Sequence, residues 1–574
     1  MQFCTMKVYV AQQNYHIGNF SLNQEKMINE VKLAKQLGAE LVIFSELSVC
    51  GYPPRDFLEF EDFILQAEAT VAEIARHSEE IGILVGAPTR NPQKEGKDLF
   101  NSAILLYEGK IQGVAHKTLL PNYDVFDEYR YFEPAYFWNV IPFKGKKIAV
   151  TICEDIWNLG DNPLYRVCPM DELMKQSPDL MINISASPFD YDHDEDRKEV
   201  IRLNVMKYRL PMIYCNAVGA HTEIVFDGGS LVYAADGELK HELNYFSEDG
   251  YLTDTEQLIG SVEISRQTIS KISADMRVAK TTDPAKIIGY LTSENNIAQI
   301  KAALVLGIRD YFFKLGFKKA ILGSSGGIDS AVVLTLAVEA LGAENVTAIL
   351  MPSAYSSAHS IDDAVQLSKN LGNPYHTIGI GNVYDGFLAA LDPLFNGTNF
   401  GVAEENIQSR TRGNLLMAIA NKFNYVLLNT SNKSELATGY GTLYGDMAGG
   451  LSVIGDLYKT QVYALAHYLN REKEIIPGNI LTKAPSAELR PNQKDSDSLP
   501  EYELLDQVLY FYIERRKGPS EIISMGFDEA LIKKTLRLVN LNEYKRNQFC
   551  PIIRVSTKAF GVGRRLPIVA KYLS

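Results

Sequence analysis

Three side chains in the first half of the chain could together cleave an amide: Cys153, Lys117 and Glu46. A cysteine attacks a carbonyl carbon as its thiolate. A nearby ammonium favours the thiolate and steadies the oxyanion, and a carboxylate takes the thiol proton and hands it to the departing amine. Each of the three follows an apolar run: Leu41-Val42-Ile43-Phe44 delivers Ser45-Glu46, Ile111 to His116 ends at Lys117, and Lys147 to Ile152 delivers Cys153. Singly, a cysteine behind a strand also reads as a core filler and a lysine as a solvated group. What unites them is their common placement at strand ends.

A second constellation lies in Gly323-Ser324-Ser325-Gly326-Gly327-Ile328-Asp329-Ser330, between Lys319-Ala320-Ile321-Leu322 and Ala331-Val332-Val333-Leu334. Glycines let the backbone approach a bulky anion, and a helix N-terminus aims unpaired N–H groups at it. Ser324, Ser325 and Ser330 add hydroxyls, and Asp329 suits a Mg²⁺ bridging to phosphates. The turn lacks both the Gly-Lys-Ser/Thr ending of the P-loop and the dinucleotide spacing. Downstream, Asn406, Arg410 and, less well placed, Arg412 share a helix face by their spacing, which suits either an anion or surface ion pairs. Thr430-Ser431-Asn432-Lys433-Ser434-Glu435 follows the strand Tyr425–Asn429, a suitable place for nucleotide and metal. Asp446, Asp456 and Lys459 sit in glycine-rich surroundings, and Lys483 to Asp495 has the composition of a lid.

The elements that must position these groups follow from periodicity. Strands at 7–12, 41–44, 83–86, 102–107, 111–116, 147–152, 180–183 and 212–216 alternate in part with helices, one capped at Ser21 and others at about 59–77 and 195–209. After residue 293 come helices at 294–315 and from about 357 to 370, with strands at 319–322, 346–351 and 425–429. Strand–helix alternation there predicts a doubly wound parallel sheet with nucleotide across its carboxyl ends. Between them the rhythm fades, and Asp283-Pro284 discourages regular structure. The expected division is a first domain over 1–272, a connecting segment over 273–293 and a second domain over 294–574.

The net charge of −13 argues against a nucleic-acid partner. No apolar run approaches the ~20 residues of a bilayer span, so no membrane partner is expected. The start runs directly into a strand with no apparent signal peptide, and six cysteines lie scattered without a CxxC pair. A reduced, cytoplasmic protein is expected.

Ser45-Glu46-Leu47-Ser48-Val49-Cys50-Gly51-Tyr52-Pro53-Pro54, His116-Lys117-Thr118-Leu119-Leu120-Pro121 and Ile152-Cys153-Glu154-Asp155 resemble the three blocks of the nitrilase (carbon–nitrogen hydrolase) superfamily. The resemblance covers about residues 5 to 265. It implies an α-β-β-α sandwich with Glu46 as general base, Lys117 as oxyanion stabiliser, Cys153 as nucleophile and Glu128 beside the lysine. For its glutaminase branch it implies glutamine contacts from Tyr123 and Ser187. A basic contact stays unassigned among His193, Arg197 and Lys198, because the usual basic position holds His193 within an acidic run.

The Ser-Gly-Gly-x-Asp-Ser turn resembles the pyrophosphatase (PP) loop of adenylating enzymes with the adenine nucleotide alpha hydrolase-like fold. With Asn406 to Arg410, Thr430 to Glu435 and Pro485 to Pro491, the second half resembles the NAD synthetase family, and both halves in this order resemble its glutamine-dependent branch. That implies ATP as co-substrate on Gly323 to Ser330, Thr430 and Lys459, with Mg²⁺ on Asp329 and Glu435. It implies deamido-NAD⁺ on Asn406, Arg410, Glu435 and Lys545, Asp446 near the reacting carboxylate, and a homo-oligomer. The implied activity is a ligase that takes ammonia from glutamine and releases AMP and diphosphate. Alternatives are another adenylating amidotransferase, or an ammonia-using synthetase with an inactive first domain.

Overall fold

Strands covered on both faces need apolar side chains in succession rather than in alternation. Six such runs make the centre of the first unit: Lys7–Gln12 (β1), Leu41–Ile43 (β2), Gly82–Arg90 (β3), then, after Leu99–Tyr107 (β4), Lys110–His116 (β5) and Ile141–Phe143 (β6), Lys146–Ile152 (β7), Leu180–Ser185 (β8) and Met212–Asn216 (β9). Val218–His221 (β10) and Ile224–Asp227 (β11) form a small hairpin, and Leu231–Tyr233 (β12), Leu239–Glu242 (β13) and Asp249–Asp254 (β14) complete the set. The computed structural model describes residues 5–159, 165–191, 194–259, 283–486, 488–490, 493, 495–497 and 499–571. It divides into units 1–278 and 279–574, taken here in turn.

The first unit has two six-stranded sheets, in order β14-β1-β2-β3-β4-β5 and β13-β12-β9-β8-β7-β6. Each is built on three parallel strands, β1-β2-β3 and β7-β8-β9, flanked by antiparallel ones. Val8, Val10, Ile43 and Leu84 meet Val150, Ile182 and Ile213 between the sheets. Tyr9, Val42 and Val85 face outward onto the helices Phe20–Gln36 (α1) and Glu61–Ala75 (α2). The second sheet's outer face is covered by Pro169–Met174 (α3) and Asp194–Tyr208 (α4). The result is the expected α-β-β-α sandwich, with the carboxyl ends of β2 and β7 close to the end of β5.

Two helix starts differ from expectation. The cap of α1 is Asn19, whose side chain accepts from Leu22 N at 3.3 Å, and not Ser21, which lies inside the first turn. The segment expected as a helix from residue 59 begins with a 3₁₀ turn, Arg55–Glu59, and only then enters α2.

In the second unit, Pro284–Leu291 (α5) occupies ground where Asp283-Pro284 was expected to discourage regular structure. The dipeptide starts a helix instead. Asp283 accepts from Ala285 N at 3.1 Å, and proline stands where an N–H would be unpaired anyway. The expected boundary at 272–273 lies outside the described residues. After Glu294–Leu315 (α6) come Ala320–Gly323 (β15), Ile328–Leu341 (α7), Val346–Leu350 (β16), Ala358–Leu371 (α8), Tyr375–Thr377 (β17), Gly381–Phe395 (α9), Val402–Phe423 (α10), Val426–Asn429 (β18), Lys433–Thr438 (α11), Leu451–Ser452 (β19) and Lys459–Leu469 (α12). All five strands pair in parallel in the order β17-β16-β15-β18-β19. Strand order reverses at β15, so its carboxyl end and that of β18 open a crevice. Among the described residues, no helix is long and apolar enough to cross a membrane.

Candidate active sites

At the carboxyl ends of β2, β5 and β7, Glu46, Lys117 and Cys153 are all buried. Lys117 Nζ lies 2.7 Å from Glu46 Oε1 and 2.7 Å from Glu128 Oε1. Glu128 enters from the aromatic loop 121–136, on a short 3₁₀ turn, and also accepts from Tyr52 OH at 2.8 Å. Burial opposes the Lys117 ammonium, but the two carboxylates outweigh it and hold its pKa well above the lysine range. Burial and the neighbouring Glu46 charge push Glu128 up, with Lys117 pulling against them. Cys153 opens the turn Cys153–Ile156 with φ +43°, a left-handed conformation uncommon for a non-glycine residue. Its thiol is pushed well above the cysteine range by burial and by Glu46, so at neutral pH it rests protonated.

Two further residues hold this geometry. Asn101 on β4 donates from Nδ2 to Glu46 Oε1 at 2.7 Å and to Glu128 Oε2 at 3.5 Å, while its carbonyl accepts from Lys117 N at 2.8 Å. Asp155 accepts from Thr118 N (3.0 Å), Leu119 N (2.8 Å) and Ile152 N (3.1 Å), which ties the segment after Lys117 to the strand before Cys153. Sequence reasoning assigned neither. An asparagine inside a buried, mostly apolar strand was the available signal for the first.

Of the expected glutamine contacts, Tyr123 places its hydroxyl 3.0 Å from both oxygens of Glu154, the residue after the cysteine. Ser187 is buried past the end of β8, its N–H donating to Asn216 Oδ1 at 2.9 Å. His193 lies outside the described residues. Arg197 is buried in a forked pair with Asp227, both arms at 2.8 Å, and Lys198 pairs with Glu242 at 2.9 Å.

The second site is a cavity of about 290 Å³ at the strand-order reversal. It is lined by Gly323 to Ser330, the ends of β16 and β18, Thr430, Glu435, Asp446 and Lys459. Gly326 has φ +75°, and a Cβ there would stand 2.2 Å from Ser360 O, so glycine is required for this turn to pack. Ser330 Oγ donates to Gly327 O at 3.0 Å and accepts from Ser325 N at 3.2 Å, shaping the loop from within. Ser324 Oγ is buried with no hydrogen-bond partner. Lys459 Nζ lies 2.5 Å from Asp329 Oδ2 and 3.5 Å from Glu435 Oε1. Asn432 caps α11 and holds Asp329 Oδ1 at 3.0 Å. Burial and the Asp329 charge push Glu435 upward.

Asn406, Arg410 and Lys545 are all anchored to one loop. Asn406 Oδ1 accepts from Thr442 Oγ1 at 2.8 Å, Arg410 Nε donates to Leu443 O at 3.2 Å, and Lys545 Nζ donates to Gly439 O (2.8 Å) and Gly441 O (2.9 Å). Asp446 closes that loop, its Oδ1 accepting from Thr442 N at 2.6 Å. Arg412, two residues beyond Arg410 on α10, turns to the cavity instead, with Nε donating to Met351 O at 3.1 Å.

The carbon–nitrogen hydrolase family model matches residues 7–273 and the NAD synthase model residues 300–549. A glutamine-dependent NAD(+) synthetase of Synechocystis sp. is 45% identical over 98% of this chain and 99% of its own length. The chain belongs to the glutamine-dependent NAD(+) synthetase family. A second member, from Thermotoga maritima, is 40% identical over 99% of both chains. The solved family structure from Acinetobacter baumannii, in complex with ADP, superposes with a TM-score of 0.72 at 36% identity, covering 98% of each chain. In this synthetase family member, then, the Glu46–Lys117–Cys153 cluster and the glycine-loop cavity occur in successive units.

Proposed function

We propose that this chain makes NAD⁺ from deamido-NAD⁺ and ATP with nitrogen taken from glutamine. The observation that carries the reading is the presence, in one chain, of a buried lysine between two carboxylates beside a cysteine, and of a phosphate-loop cavity onto which two carboxylates paired with a covered lysine open.

In the first reaction Cys153 Sγ attacks the side-chain amide carbon of glutamine and gives its proton to Glu46. Because the resting group is a thiol, a base must act in the same step. Lys117 steadies the tetrahedral oxyanion, and Glu128 keeps that ammonium charged and in place. Glu46 returns the proton to nitrogen, ammonia leaves, and water resolves the thioester to glutamate. Tyr123 and Ser187 contact the glutamine.

In the second reaction the nicotinate carboxylate of deamido-NAD⁺ attacks the α-phosphorus of ATP, and diphosphate departs against the amides of Gly323 to Ser330. Thr430 and Lys459 hold ATP; Asn406, Arg410, Glu435 and Lys545 hold deamido-NAD⁺, with Asp446 near its carboxylate. Unprotonated ammonia then displaces AMP. Asp329 and Glu435 are hard oxygen donors facing the cavity and would hold a Mg²⁺ there. When bound, that ion offsets the charge gathering on the phosphates. None of the five described cysteines is bridged, which supports a reducing, cytoplasmic setting.

Cys153→Ala tests the reading. Glutamine-driven NAD⁺ formation should vanish while ammonia-driven formation persists. Equal activity of that variant with either nitrogen source would remove Cys153 from its role.

A further inference from the structure

Three cationic side chains line the nucleotide cavity: Lys459, Lys483 and Arg412. Two are held by carboxylates of the same unit. Lys459 pairs with Asp329 and Glu435, and Lys483 Nζ stands 2.6 Å from Glu488 Oε1. Among the described residues, Arg412 has no carboxylate within ion-pair distance. Its guanidinium makes a single hydrogen bond, from Nε to Met351 O at 3.1 Å. That bond ties the planar head to the carboxyl end of β16, next to the strand that delivers the phosphate loop. With Nε fixed, both Nη groups remain as a preset fork with no hydrogen-bond partner among the described residues.

A fork open to the cavity is free to take the oxygens of a ligand. Burial pulls the Arg412 pKa down, and the carboxylates that offset this from a distance are Asp446 and Glu488. Position narrows the ligand's identity. The phosphate loop and Asp446, close to the expected reacting carboxylate, line the same cavity. Arg412 shares the lining with both, and a guanidinium fork matches two oxygens of one phosphoryl group.

From this geometry we infer that Arg412 binds the α-phosphoryl group of ATP and, after diphosphate has left, the same phosphoryl in the adenylate. The inference rests on the function proposed above and adds a catalytic residue to it. As the carboxylate oxygen bonds to the α-phosphorus and the bond to the β-phosphate oxygen breaks, negative charge on the equatorial oxygens is met by both Nη groups. When ammonia attacks the acyl carbon and the C–O bond breaks, the same fork stabilises the phosphate of departing AMP. The arginine acts in both halves of this reaction and in neither step at Cys153.

The experiment uses the full-length chain with ammonia as nitrogen source and follows AMP, NAD⁺ and, separately, glutamine hydrolysis. Arg412→Ala should lower kcat for NAD⁺ formation about 100-fold, the loss typical of removing one preorganised transition-state donor, with KM for ATP little changed. Added methylguanidine should restore part of that kcat, which it would not do for a merely structural defect. Arg412→Lys keeps the charge and loses the fork, so it should stay well below wild type. If Arg412→Ala is not recovered folded, as judged by intact glutamine hydrolysis and an ATP-induced rise in Tm, the lysine variant decides. Wild-type kcat in either variant, or a loss confined to KM with no rescue, overturns the inference. Absence of AMP release by the wild-type chain would overturn the functional reading instead.

Discussion

Three lysines in this molecule each sit between two carboxylates, and they differ in how far the cluster opens to its surroundings. In the first unit Lys117 and Glu46 have no exposed side-chain area and Glu128 has 5%. In the second unit Lys433 lies 3.0 Å from Asp456 and 2.8 Å from Glu514, all three side chains fully covered. Lys459 is equally covered, but its partners Asp329 and Glu435 keep 19% and 18% of their side-chain area exposed toward the cavity. Identical charge composition thus serves three ends. Around Lys433, Ser556 Oγ completes the site at 2.8 Å, so the cluster fastens α11 to the C-terminal segment. Around Lys117 a thiol stands next to the sealed charges, where low dielectric would strengthen their effect on the oxyanion of the proposed reaction. Around Lys459 the open carboxylates leave room for a cation and phosphates. Access sets the Lys459 cluster apart from the other two, and the neighbouring thiol sets Lys117 apart from Lys433.

The comparison breaks most visibly at the sealed structural cluster. Lys433→Met should cost about 3–5 kcal/mol, because Asp456 and Glu514 would be left buried without their counter-charge. Denaturant unfolding should show this loss in the transition of the second unit, with glutamine hydrolysis by the first unit unchanged. A cost under about 1 kcal/mol would mean that the cluster is not sealed. Lys117→Met should lower glutamine hydrolysis about 10²- to 10³-fold, again with ammonia-driven NAD⁺ formation retained. Asp329→Asn should raise the Mg²⁺ concentration for half-maximal ammonia-driven synthesis on the order of tenfold, since the position keeps its shape and loses a charged ligand. An unchanged Mg²⁺ profile would assign Asp329 to Lys459 alone.

The smallest effect sharpens the contrast through pH. Burial raises the Glu128 pKa, so as pH falls Glu128 takes up a proton earlier than an ordinary glutamate and Lys117 loses one of its partners. Glutamine hydrolysis should therefore fall on an acid limb displaced upward from the usual carboxylate range. Glu128→Gln, which cannot titrate, should remove that limb and lower the plateau modestly. Persistence of the limb in the variant would assign it to another group.

Much of this was readable from the sequence because chemistry sits where strands end. Runs such as Leu41–Phe44 and Lys147–Ile152 mark strands covered on both faces, and the residue after such a run must emerge at the sheet's edge. The sandwich and the parallel sheet follow from the same runs and their alternation with helices. What escaped depends on contacts across the fold. Asn101 bridges two carboxylates that are 55 and 27 residues away in sequence, and no local pattern encodes that. Arg412 shares a nominal helix face with Asn406 and Arg410, yet the tether to Met351 turns it toward the cavity while the other two bond the 439–446 loop. Asp283-Pro284 was read for proline's power to break a helix, when aspartate followed by proline equally begins one.

The most direct test of the account follows an oxygen atom. Deamido-NAD⁺ carrying heavy oxygen in its nicotinate carboxylate is turned over with ATP and ammonia, and the products are weighed. Attack of that carboxylate on the α-phosphorus predicts label in AMP and none in diphosphate. Label in diphosphate or orthophosphate, or AMP free of it, would contradict the assignment of the cavity to adenylation.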